Sequence, residues 1–197
     1  MKNEVIEKHK KNILYIHGFN SSPQSLKAQQ TKQYLSEYFP DINFYCPQIK
    51  SSPTAAIAQL TQILKSNSGT WSIMGSSLGG YFSTYLSEKY QYPAVIINPA
   101  VRPFELLNDY LGEQTNPYTN EVYTVTEQYI DDLKALEQQE ITKKHYLVMV
   151  QTGDEVLDYQ QAVNKYQQCQ LIVQQGGDHS FVNYSELLPK IAQFFKL

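Results

Sequence analysis

Trp71-Ser72-Ile73-Met74-Gly75-Ser76-Ser77-Leu78-Gly79-Gly80 decides the fold. Trp71–Met74 has strand character and runs into Gly75-Ser76-Ser77-Leu78-Gly79, a G-x-S-x-G pattern; Tyr81, Tyr85 and Leu86 then fall at helical spacing. A serine on so sharp a strand-to-helix turn has a strained backbone, and its small neighbours let adjacent chain pass close by. The turn predicts that the Ser77 hydroxyl stands out at the carboxyl end of its strand. It also predicts that the Leu78 N–H, at a helix start, is free to donate to a developing oxyanion. A glycine-rich turn that merely packs helix on sheet is the alternative, and the rest of the chain speaks against it.

Outward from this turn the same rhythm recurs: a short apolar run, a polar turn, a helical pattern. Ile13–His17, Asn43–Cys46, Ala94–Ile97, Tyr146–Gln151 and Leu171–Val173 read as the other strands. Ser22-Pro23 reads as N-cap and first residue of a helix reaching about Phe39, with Leu26, Tyr34 and Tyr38 on one face. Ile57, Leu60, Ile63 and Leu64 mark a second helix; Ala162, Val163 and Tyr166 another; Leu188, Ile191 and Phe195 a last one. Nearly continuous apolar strands alternating with amphipathic helices predict an α/β fold, a mainly parallel sheet of about six strands covered on both faces. The division expected is a polar leader, 1–11, and a single domain, 12–197. Within the domain, 104–141 is a cap or crossover insertion: no strand signal occurs between Pro103 and Thr142, and Val125, Tyr129, Leu133 and Leu136 suggest one helix.

In an open parallel sheet, ligand groups gather beyond the carboxyl ends of the strands. A serine hydroxyl needs a base, and His179, in Gly176-Gly177-Asp178-His179-Ser180-Phe181, follows the last strand. His9 and His145 sit in polar surroundings and read as solvated; His17 reads as a strand-end residue that shapes its turn. The imidazole in turn needs a carboxylate. Thr152-Gly153-Asp154-Glu155-Val156-Leu157-Asp158 follows the fifth strand, and Asp154 is preferred over Asp158. Glu155 is expected to point away, and Asp178 to serve its own turn. The order Ser77, Asp154, His179 is that of the α/β-hydrolases. The second oxyanion donor is expected from His17-Gly18-Phe19-Asn20, with the Phe19 N–H as candidate beside that of Leu78.

Composition narrows the classes. The 197 residues fit one domain that buries roughly two-thirds to three-quarters of its unfolded surface. With 16 Lys+Arg against 19 Asp+Glu and one arginine, Arg102, the chain lacks the basic face of a nucleic-acid binder. Arg102 borders the site and is expected to pair with acids of the following segment, which holds eight acidic residues and one lysine from Asn108 to Ile141. Cys46 and Cys169 are expected as reduced, partly buried thiols. No stretch approaches the ~18 apolar residues of a membrane span, and the expectation is a cytoplasmic protein.

The segments HGFNSSPQS, GSSLGGY, NPAVRPFELL, QTGDEVLDY and GGDHSF, in this order and spacing, closely resemble the YqiA-type esterases, a small family of the α/β-hydrolase superfamily. The resemblance runs from about Ile13 to Leu197. It implies a compact α/β-hydrolase with Ser77 as nucleophile, His179 as base and Asp154 as acid, acting on acyl esters and, as an extension, acyl thioesters. No metal or organic cofactor is called for, and the expected partner is a small-molecule acyl ester or thioester. Two other readings stay open: an acyltransferase using the same triad, and a non-catalytic binding protein on a hydrolase fold.

Overall fold

The apolar runs become strands because the side chains on both of their faces find cover. The computed structural model describes residues 10–197. It begins with β1 (Lys11–Ile16), α1 (Leu26–Tyr38), β2 (Asn43–Tyr45), α2 (Pro53–Ser66), β3 (Thr70–Ser77), α3 (Leu78–Tyr90) and β4 (Ala94–Pro99). An insertion follows: α4 (Pro103–Leu106), a 3-10 turn (Leu107–Tyr110), β5 (Gly112–Thr115), β6 (Val122–Val125) and α5 (Glu127–Ala135). The chain then completes the sheet with β7 (Tyr146–Gln151), α6 (Tyr159–Lys165), β8 (Gln170–Gln174) and α7 (Leu188–Phe195).

Six strands form one parallel sheet in the order β2-β1-β3-β4-β7-β8. Alternate residues feed two cores. Leu14, Ile16, Ile73, Ile96, Val148 and Val150 pack with α2, α3 and α6 on one face. Ile13, Tyr15, Met74, Val95, Ile97 and Met149 pack with α1 and α7 on the other. Every residue of β4 and β7 is buried, which is why these strands read as unbroken apolar runs. The α/β expectation of about six parallel strands holds. β3 and β4 run further than expected, to Ser77 and Pro99.

Two expectations need correction. The first helix starts at Leu26, with Ser25 as N-cap. Ser22 is spent earlier, its hydroxyl accepting the Gln24 N–H at 2.9 Å and its carbonyl that of Ser25 at 3.1 Å. The buried face of α1 is Ala28, Thr31 and Leu35, leaving Leu26 69% and Tyr38 59% exposed. The insertion does contain strands, the antiparallel hairpin β5–β6, and Val125 is buried in β6 rather than on a helix. Asn116 builds its turn, Oδ1 accepting the N–H groups of Tyr118 at 2.9 Å and Thr119 at 3.3 Å. Of the leader, residues 1–9, His9 among them, lie outside the described residues, and Lys11 already belongs to β1. Among the described residues no helix is long and apolar enough to cross a membrane.

Candidate active site

β1 has β2 on one side and β3 on the other, so the connections leaving β1 and β3 diverge above the sheet. A crevice opens at such a switch point, and Ser77 stands in it. Its backbone takes φ 56° and ψ −124°, a left-side conformation that costs a non-glycine residue about 1–3 kcal/mol. The surroundings enforce it: the Ser77 carbonyl accepts the Ala100 N–H at 3.1 Å, and α3 begins at the next residue. That helix start presses so closely on β1 that a Cβ on Gly79 would lie 2.0 Å from the Ile16 carbonyl oxygen. The first N–H of α3, from Leu78, has no acceptor within the helix.

The loop after β1 reaches the same point from the other side. A Cβ on Gly18 would sit 3.1 Å from Ser77 Cβ and 3.6 Å from its Oγ, so the loop backbone passes close beside the serine, followed by Phe19. His17 anchors the loop. It is buried, its Nδ1–H donating to the Gly18 carbonyl at 3.0 Å and its Nε2 accepting the Ile49 N–H at 3.2 Å. Burial lowers its pKa, and both hydrogen bonds require the neutral ring. The insertion fixes the loop's far end: the Tyr123 hydroxyl donates to Asn20 Oδ1 at 2.6 Å, and the Phe19 ring meets Tyr110 edge-on at 5.3 Å.

Asp154 and His179 are in direct contact, with Nδ1 at 2.9 and 3.0 Å from the two carboxylate oxygens. A carboxylate only accepts, so Nδ1 carries the proton, and in the neutral ring Nε2 on the opposite edge keeps a free lone pair. Asp154 is the better shielded of the pair, its side chain 2% exposed against 24% for His179. Burial pushes the Asp154 pKa up, but the hydrogen bonds from His179, Leu157 and Val156 outweigh it and hold the carboxyl below its usual range. Ser77 and His179 line the same two clefts, and no hydrogen bond joins them among the described residues. Such contacts are commonly long in a free enzyme and tighten around substrate.

The nearer acids divide by role. Asp158 caps α6, its carboxylate accepting the Gln160 N–H at 2.9 Å. Glu155, expected to point away, turns back instead and accepts the His179 N–H at 3.0 Å. Asp178 serves its turn through its carbonyl, which accepts the Phe181 N–H at 3.1 Å. Arg102 pairs with Glu105 at 2.6 Å and lies 3.8 Å from Glu137. His145, expected to be solvated, is half-buried, with Nδ1 enclosed and unpartnered. Both thiols are free and partly buried, and burial pushes Cys46 up to about 12 and Cys169 to about 11, far from reactive thiolates. Among the described residues no group of three His, Cys, Asp or Glu could hold a metal ion.

Two residues that sequence reasoning missed hold the histidine loop. Gln151, buried at the end of β7, accepts the N–H groups of Asp178 at 3.1 Å and Val182 at 2.8 Å, and donates to the Val182 carbonyl and to Gln174. Asn98, at the end of β4, donates to the carbonyls of Asp178 and His179 at 3.0 and 3.2 Å and accepts the Gln151 N–H at 3.0 Å. A polar side chain closing an otherwise apolar strand was the available signal. Gln151→Leu should strand two part-buried donors and two acceptors, lowering stability by about 2 kcal/mol. Urea unfolding measures the stability loss, and a fall in turnover beside it reports the slackened histidine.

The first cleft, of about 300 Å3, is walled by Leu78, Leu106, Leu107, Leu133, Val156 and Leu157 among others. Its outer wall comes from the insertion, which is tied down where the Tyr81 hydroxyl donates to the Leu133 carbonyl at 2.6 Å. The second cleft, of about 330 Å3, opens on the α1 side of Ser77 and has a mixed lining, with Asn20, Ser25 and Lys27 beside Phe19 and Leu26.

The profile of a family described as "Uncharacterised protein family (UPF0227)" matches residues 12–196. Among solved structures, the chain is similar to alpha/beta hydrolase domain-containing protein 10 from mouse, at 16% identity and a TM-score of 0.75, covering 94% of this chain and 89% of that one. It is also similar to Est1E from Butyrivibrio proteoclasticus, solved with ferulic acid bound: 12% identity, TM-score 0.72, covering 95% and 88%. A monoacylglycerol lipase of Paleococcus ferrophilus gives 13% identity, TM-score 0.70 and 93% coverage of both chains. At these identities the likeness establishes the α/β-hydrolase fold.

Proposed function

The chain belongs to UPF0227, a family of YqiA-type α/β-hydrolases, and on that premise we propose that it is a serine esterase cleaving carboxylic acyl esters through an acyl-enzyme. One observation carries the reading. A carboxylate-bound imidazole with a free Nε2 lines the same crevice as a serine held in a strained strand-to-helix turn.

In the proposed cycle Ser77 Oγ attacks the ester carbonyl as His179 Nε2 takes its proton. The tetrahedral oxyanion is held by the N–H groups of Leu78 and Phe19. Collapse breaks the bond to the leaving alcohol, which departs with the proton from His179 and leaves Ser77 acylated. Water, deprotonated by the same ring, releases the acid and restores the serine. Asp154 keeps the proton on Nδ1 and offsets the charge of the imidazolium. The leucine-walled cleft suits the acyl chain, each buried methylene contributing about 0.8 kcal/mol. Residues 104–141 then act as the fixed outer wall of that acyl site, in the position of a cap. Thioesters fit the same chemistry, since a thiolate leaves readily.

Treatment with a fluorophosphonate probe at pH 8 tests the proposal. Covalent modification of Ser77, located by peptide mass spectrometry, is the expected result. An unlabelled but folded protein would overturn the esterase reading in favour of a binding protein with an idle triad.

A further inference from the structure

The cleft on the α1 side of Ser77 carries charge and donors that the proposed cycle does not use. Among the described residues Lys27 is the only Lys, Arg, Asp or Glu lining it. Its Nζ donates to the Ser180 carbonyl at 2.7 Å, next to the proposed base, and makes no ion pair among the described residues, so two of its three donors are uncommitted. Lys27 lies in the first turn of α1, where the helix dipole disfavours a cation. That turn holds no acid, the Ser25 hydroxyl at the N-cap makes no capping bond, and Ser25 and Leu26 line the cleft beside Lys27.

Burial lowers the Lys27 pKa to about 8 against the pull of Asp178 and Asp154, so the ammonium is still the main form at neutral pH. Neither residue is part of the cleft's lining, and Asp154 is committed to His179.

We propose, resting on the esterase reading above, that this cleft receives the leaving alcohol and that Lys27 selects alcohols carrying an anionic group, a carboxylate or a phosphate. The ester then lies across Ser77 with its apolar acyl chain among the leucines and its charged alcohol beside α1. Lys27 is a specificity residue in this account, since it meets the part of the substrate remote from the reacting carbonyl.

Three butyryl esters test the assignment: those of 4-hydroxybenzoate, of 4-hydroxyphenyl phosphate and of the neutral 4-hydroxybenzamide. The wild type should favour at least one anionic ester over the neutral one in kcat/KM, and the preferred anion identifies the source. Lys27→Met should cut the anionic-to-neutral ratio about 10–100-fold, as for loss of a charge-assisted hydrogen bond, with Lys27→Arg restoring part of it. If the wild type treats the three alike, or Lys27→Met lowers all three equally, the assignment falls and Lys27 is only a tether of the histidine loop. Hydrolysis of none of the three by the wild type would instead bring down the esterase reading, and this assignment with it.

Discussion

Ser77→Ala is expected to lower kcat for ester hydrolysis by about 10⁴–10⁶-fold, to the level left by binding and the oxyanion donors alone. The loss is large because Ser77 Oγ is the atom that forms the new bond, and no neighbour can replace it. Both cysteines are held as thiols by burial, and their values of about 12 and 11 leave almost no thiolate at neutral pH. The fold should survive. The Ser77 hydroxyl makes no hydrogen bond among the described residues, and the strained φ of 56° comes from the backbone on either side. A rate assay with a chromogenic short-chain ester and a thermal unfolding curve give the two readouts. Retained turnover in a correctly folded variant would end the proposal.

Asp154→Asn is expected to reduce kcat by about 10⁴-fold with little change in fold. The carboxamide oxygen can go on accepting the Val156 and Leu157 N–H groups, both now held at 2.9 Å, so the turn after β7 is preserved. Its nitrogen, however, donates towards His179. Nδ1 must then become the acceptor, the proton moves to Nε2, and the edge that should take the serine proton carries one already. The acid side of the stability profile separates this from a packing defect. Because the folded-state carboxyl titrates below its unfolded value, its contribution to stability is complete above about pH 4 and is lost as pH falls through the folded value. The variant lacks that contribution at every pH. Denaturant titrations at several pH values, set beside kcat, check both halves of the expectation.

The parts of this molecule legible in its sequence are those with a local cause. β4 and β7 are buried on both faces, so their composition betrays them. The candidate nucleophile announces itself because Gly75, Gly79 and Gly80 mark a turn with no room for side chains, and Asp154 and His179 stand where strands end. The hairpin β5–β6 was not legible. Its strands are four residues long and largely exposed, and they hold their place through Asn116, which donates to the Ser21 carbonyl at 3.0 Å, and through Tyr123 on Asn20. Asn98 and Gln151 escaped for the same reason. Their partners lie 80 and 31 residues away, and no spacing rule reaches across such gaps. Lys27 was hidden by its position, since a lysine early in a helix reads as surface until the fold shows what faces it.

The strand order also bears on how the protein comes into being. β1 lies between β2 and β3, so the first segment of the sheet to be synthesised waits for Thr70–Ser77 before it can pair on both edges. Such long-range pairing makes assembly slow compared with local helix formation. When Ser77 then emerges from the ribosome, the residues that would awaken it, Asp154 and His179, have yet to be made. A nascent polypeptide is thereby chemically silent, and the hydrolytic power proposed for it arrives only with the closing of the sheet.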